Sequence, residues 1–98
     1  MAVNQKLTHV VKDRVVQNFQ LNGAELLIGF VDGSTMKVKI VESNSLPLRE
    51  DARIRQVSED KAKLLIECED DSTLDVTLID PGNSVSVRGK DDQVEYLG

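Results

Sequence analysis

Side chains able to do chemistry are few in this chain and lie far apart. His9 is the single histidine and Cys68 the single cysteine among 98 residues. A zinc site would have to do without a second histidine, an unusual ligand set, and no carboxylate partner for His9 is visible, so a surface histidine is expected. Cys68 falls on the apolar side of an alternating stretch with acidic neighbours. A thiol there is a small buried hydrophobe, because a nucleophilic thiolate needs an electropositive neighbourhood. Glu67, Glu69, Asp70, Asp71 and Asp75 form the densest acidic group, and oxygen-rich clusters can hold calcium or magnesium. Here alternation throws Glu67 and Glu69 onto one face and no glycine-punctuated ligand loop follows, so a solvated acidic face is expected instead. No GxSxG, P-loop or dinucleotide fingerprint occurs. The residues therefore predict a binding protein, not an enzyme, with no catalytic, metal or cofactor group.

One stretch carries a family likeness. Val87-Arg88-Gly89 followed by Val94-Glu95-Tyr96-Leu97 resembles the second signature of Sm-like RNA-binding proteins, a hydrophobic-Arg-Gly step leading into a short last strand. The resemblance implies an N-terminal helix ahead of a small bent barrel, assembly into rings, and Arg88 and Gly89 as RNA contacts. Gly89 and Val94 stand further apart than in that pattern, and nothing after the first hairpin matches the family's first signature, an Asp followed by Met-Asn. The plain alternative is that Arg88-Gly89 ends a strand and opens a turn.

The elements that must position these residues come from an internal repeat. Ala24 to Ile40, AELLIGFVDGSTMKVKI, returns 38 residues later as Ala62 to Leu78, AKLLIECEDDSTLDVTL, with eight of seventeen positions identical. Apolar residues recur at every second position on both sides of a polar cluster, the period of two half-buried strands joined by a tight turn. Opposed residues of an antiparallel hairpin share a face. Pairing Phe30 with Met36, Ile28 with Val38 and Leu26 with Ile40 keeps every pair apolar and places Asp32-Gly33-Ser34 in an odd loop. In the second copy the same rule pairs Cys68 with Leu74, Ile66 with Val76 and Leu64 with Leu78 around Asp70-Asp71-Ser72. A two-residue turn would turn every side chain over.

The copies differ on their other face, where Lys37 corresponds to Asp75, Gly29 to Glu67 and Val31 to Glu69. Lys37 and Lys39, with Arg53 and Arg55 on a neighbouring strand, supply positive charge; Glu67, Glu69 and Asp75 supply negative charge; Leu27 and Val31 are apolar beside the lysines. These nine residues are the candidate interaction surface, for self-association or for another protein partner, against the simpler reading of two solvated faces.

A length of 98 residues and 40% hydrophobic content suit one domain spanning residues 1–98. A net charge of −5 disfavours phosphate backbones overall without excluding a local basic patch. Only Phe19, Phe30 and Tyr96 are aromatic, which offers no base-stacking platform. The lone cysteine and the lack of any long apolar run fit a cytoplasmic chain with no membrane association. Residues 4–20 read as a helix by the spacing of Leu7, Val11, Val15 and Phe19, with Asn4 as cap; a strand from Val15 to Leu21 is the close alternative. Residues 42–51 form a linker with Pro47 inside. Ala52 to Ser58 is a strand with a bulge between Ile54 and Val57, Asp80-Pro81-Gly82-Asn83 is a turn, and a third hairpin pairs Val87 with Val94 and Val85 with Tyr96 around an even loop. The predicted fold is mainly β: a small antiparallel open barrel or two-layer roll of seven or eight strands built from a duplicated hairpin unit, with one N-terminal helix.

Overall fold

A computed structural model of the chain describes residues 2–43 and 48–98; Asn44 to Pro47, inside the expected linker, lie outside the described residues. Among those described there are one helix and nine strands: β1 (Ala2–Val3), α1 (Gln5–Val11), β2 (Val16–Asn22), β3 (Glu25–Phe30), β4 (Thr35–Ser43), β5 (Ile54–Asp60), β6 (Lys63–Cys68), β7 (Thr73–Leu78), β8 (Val85–Arg88) and β9 (Val94–Leu97). Seven of them form a curled antiparallel half-barrel in the order β1-β5-β6-β7-β4-β3-β2, while β8 pairs with β4 and carries β9. The mainly β architecture expected from alternation is the one observed.

Residues 4–20 divide between the two readings. Asn4 caps α1, its Oδ1 accepting the Leu7 N–H at 3.0 Å, and Leu7 and Val11 bury one helical face. The helix then stops. Asp13 takes a positive φ of 69° and the β-branched Val15 and Val16 enter extended structure, where branching at Cβ is favoured. Val15 bridges Arg53, and the Val16 N–H donates to the Ala52 carbonyl at 2.8 Å. Long-range pairing outweighs the helical spacing of Phe19, which lies on β2.

Both hairpins keep the expected faces at a register displaced by two residues. Ile28 opposes Met36 and Leu26 opposes Val38; Ile66 opposes Leu74 and Leu64 opposes Val76. The loops are consequently Val31-Asp32-Gly33 and Glu69-Asp70-Asp71, each one residue earlier than expected. The reason is local: a three-residue hairpin loop wants a left-handed residue last, and Gly33 (φ 89°) and Asp71 (φ 68°) supply it. In each loop an Asp carboxylate also accepts the N–H of the following Ser, Asp32 from Ser34 at 2.9 Å and Asp70 from Ser72 at 2.9 Å. The tail hairpin is also displaced by two residues, and its loop has three residues where an even loop was expected. Val87 opposes Tyr96, the loop is Lys90-Asp91-Asp92 with Asp92 at φ 66°, and a bulge between Val87 and Arg88 absorbs the extra residue. The bulge expected in β5 lies between Ile54 and Gln56. The Asp80 to Asn83 turn closes with the Asn83 N–H on the Asp80 carbonyl at 2.9 Å.

Faces follow from parity. The six apolar positions of β3 and β4 (Leu26, Ile28, Phe30, Met36, Val38, Ile40) and the six of β6 and β7 (Leu64, Ile66, Cys68, Leu74, Val76, Leu78) are each at most 3% exposed. They form one core with Leu7, Val11, Val16, Leu48, Val85 and Val87 among others. Backbone hydrogen bonds recur across the same 38-residue offset. Ile40 donates to Ala24 at 2.8 Å as Leu78 does to Ala62 at 2.7 Å, and Val16 donates to Ala52 at 2.8 Å as Ile54 does to Arg14 at 3.0 Å. The last two bonds join the start of β2 to the start of β5, so on that side, among the described residues, the two three-stranded units touch only where those strands begin.

Candidate functional site

The nine candidate residues do not form one surface. Lys37 and Lys39 project outward from β4, exposed, and Leu27 stands half-buried opposite Lys37 on β3. On the other edge of β4, Thr35 opposes Arg88 and Lys37 opposes Ser86, and Ser86 opposes Leu97 on β9. Alternation therefore sets Arg88, Lys37 and Lys39 along one outer face, flanked by Leu27 on β3 and the 67% exposed Leu97 on β9. Arg88, considered from sequence only as an RNA contact, thus joins the lysines. Its guanidinium also reaches the Asp92 carboxylate at 3.7 Å and the Asp92 carbonyl at 3.2 Å within its own turn. Glu25 opposes Lys39 and tempers the charge at that end.

Acidic side chains of the second hairpin are met by the neighbouring β5 segment. Arg53 meets Glu69 at 3.7 Å and Arg55 meets Asp71 at 3.4 Å, while Gln56 donates a hydrogen bond to Glu67. Complementary contact thus occurs inside the chain, between β5 and the β6–β7 hairpin. These exposed ion pairs contribute about 0 to 1 kcal/mol each. Asp75 is half-buried, opposite Leu65. Among the described residues no three His, Cys, Asp or Glu side chains gather as metal ligands, and His9 is exposed on α1. Cys68 is buried; desolvation, reinforced by the nearby Asp70 charge, pushes its thiol up, away from the reactive thiolate.

Sequence reasoning missed Arg14. Its side chain, only 17% exposed, donates from Nη2 to Glu95 Oε1 at 2.8 Å and holds Nε 3.8 Å from Asp32 Oδ2. It tethers the β3–β4 loop and β9 to the start of β2. A cleft of about 280 Å³ opens there, lined by Arg14, Asp32, Ser34, Lys90, Gln93 and Glu95, together with Gly89. A second hollow, which also takes in Arg14 and Asp32, is lined by Lys12, Asp13, Val15 and Val31, the last 57% exposed. Val31 is therefore separate from Leu27 and the lysines, and Gly89 from the outward face of Arg88. Burial works to raise the Asp32 pKa, but the Ser34 hydroxyl and N–H and the Arg14 charge outweigh it and hold the carboxyl below the ordinary range. No local pattern marks Arg14, because its partners lie 18 and 81 residues further along the chain.

No family model, no curated protein and no solved structure matches this chain. Among the described residues no helix is long and apolar enough to cross a membrane.

Proposed function

We propose that the chain is a cytosolic protein-interaction module that works by binding, with self-association among its contacts, and that it performs no catalysis. The observation that supports this reading is the outer face where Lys37, Lys39 and Arg88 are flanked by Leu27 and Leu97 on an otherwise acidic chain. Cations flanked by leucines suit an acidic segment carrying apolar side chains better than a bare phosphate backbone, since leucine gains nothing from phosphate. The buried lone thiol of Cys68 fits a reducing compartment.

Arg88 beside two lysines favours a second reading, the phosphate contact of an Sm-like RNA-binding protein. Against it, Phe30 is buried and Phe19 and Tyr96 pack against the core, so that face offers no ring for base stacking. Immobilised protein distinguishes the two when challenged with a leucine-containing acidic peptide and with a single-stranded RNA of equal charge. The interaction reading expects the peptide to be retained more strongly, and Lys37→Glu/Lys39→Glu to abolish retention. Preferential RNA retention that falls steeply with salt would replace it with the second reading. Retention unchanged in the double variant would refute both.

A further inference from the structure

We infer that two copies of this chain pair through the free edge of β2, antiparallel and about a two-fold axis. The starting observation is a difference between two strands related by the 38-residue offset. The edge of β5 is sealed: Ala2 and Val3 pair with Glu59 and Ser58, the Asn4 N–H donates to the Val57 carbonyl at 2.8 Å, and the Thr8 hydroxyl accepts the Val57 N–H at 2.9 Å. Val57 and Ser58 are accordingly buried. Their counterparts on β2 are Phe19, half-buried, and Gln20, exposed, and every β2 residue other than Val16 and Phe19 is exposed. Beyond Val16, no described residue pairs with β2 on the side away from β3. The equivalent hairpins Asn22↔Glu25 and Asp60↔Lys63 set the same bonding phase, so the N–H and C=O of Phe19 and Leu21 face the open side as those of Val57 and Glu59 face β1 and α1.

Charge identifies the occupant as a second copy. In a two-fold antiparallel strand pair the residues next to the axis lie near their own equivalents, so a charge in the middle of the edge meets its like. Edges that must stay single are guarded by charges, proline or strong bulges. β2, VQNFQLN, carries neither charge nor proline, its bulge lies between Val16 and Asn18, ahead of the regular stretch from Phe19 to Asn22, and it sits in the longest uncharged run of the chain, the ten residues Val15 to Ala24 between Arg14 and Glu25. By contrast β5 carries Arg55, Glu59 and Asp60, and β9 carries Glu95. In a chain with 30% charged residues, β2 is thus an edge that meets no like-charge repulsion from a second copy of itself, whereas the charges of β5 and β9 would meet their like. Pairing would also bring Phe19 and the 55% exposed Leu21, which share one face of β2, against the same two residues of the second copy. This inference rests on the self-association part of the proposed function and not on the basic face.

The test is sedimentation velocity over a range of concentrations for wild type, Leu21→Lys and Lys37→Glu/Lys39→Glu, with amide hydrogen exchange at Phe19 and Leu21. Wild type should dimerise, and Leu21→Lys should weaken the dimer about tenfold or more through like charges at the axis. The lysine double variant should still dimerise, and exchange at Phe19 and Leu21 should slow as concentration rises. Leu21→Lys must melt like wild type as a monomer, which its exposure predicts. A dimer indifferent to Leu21→Lys, or amides exchanging at one rate at all concentrations, would place self-association elsewhere and overturn the inference. A wild type that stays monomeric overturns it too, while the peptide experiment still judges the basic face on its own.

Discussion

Replacing Gly33 by alanine tests the observed loop, Val31-Asp32-Gly33, against the alternative with Gly33 in its middle. Gly33 has a φ of 89°, and a Cβ added there would stand 2.9 Å from the Lys90 Cβ. An L residue in the left-handed region costs roughly 1–2 kcal/mol, and more as φ departs from the minimum near 57°. Alanine returns about 0.4–1 kcal/mol by restricting the unfolded chain. With the Lys90 contact added, the net loss should be about 1–2 kcal/mol, a fall of roughly 4–16 °C in Tm for a domain of this size. Gly23→Ala is the internal control. It has a φ of 61°, nothing lies within 4 Å of its added Cβ, and its counterpart Lys61 holds a side chain at φ 55°. Its two opposing contributions nearly cancel, so the change should be within about 1 kcal/mol. Urea unfolding of both variants, with the slope checked against wild type, gives the comparison. If Gly33→Ala loses no more than Gly23→Ala, Gly33 is not the left-handed third loop residue packed on Lys90, and the register of β3 with β4 is wrong.

Two further outcomes follow from burial and charge. Ile28→Ala and Ile66→Ala, both fully buried at equivalent positions, should each lose about 2–5 kcal/mol; Ile79→Ala, at 50% exposure, should lose about 1 kcal/mol or less by lost area alone. Similar denaturation midpoints for Ile66→Ala and Ile79→Ala would refute the inward face. The Asp32 carboxyl has a folded pKa below its ordinary value, so its ionised form contributes stability that is present above the unfolded pKa of about 3.9 and is lost as pH falls through the lower folded value. Asp32→Asn should therefore be less stable than wild type at pH 7, with the gap closing in acid. A gap that stays constant down to the acid transition would show that the Ser34 and Arg14 contacts do not favour the charged form.

Much of the fold was legible because its signals are local. Alternation of apolar residues in residues 24–40 and 62–78 specifies which side chains face the core, Asn4 is a helix cap by residue type, and Pro81-Gly82 makes a turn without help from elsewhere. Alternation has period two, however, and a slip of two residues leaves every face unchanged. The expected register of both hairpins therefore preserved the core while misplacing the loops, and only the left-handed conformation of Gly33 and Asp71 selects between the two. The length of α1 was decided at a distance, by Val16 and Ile54 exchanging hydrogen bonds with the chain around Ala52 and Arg14 where β2 and β5 begin. The site depended on such distant pairings still more. Whether Arg88 neighbours Lys37, whether Arg53 is spent on Glu69, and whether Arg14 reaches Asp32 and Glu95 all depend on which strands lie side by side. A charged side chain carries no period that names its partner. The sequence thus determined the faces of the strands, and the tertiary structure alone decided which charges share a face and which cancel, because that depends on pairings between segments tens of residues apart.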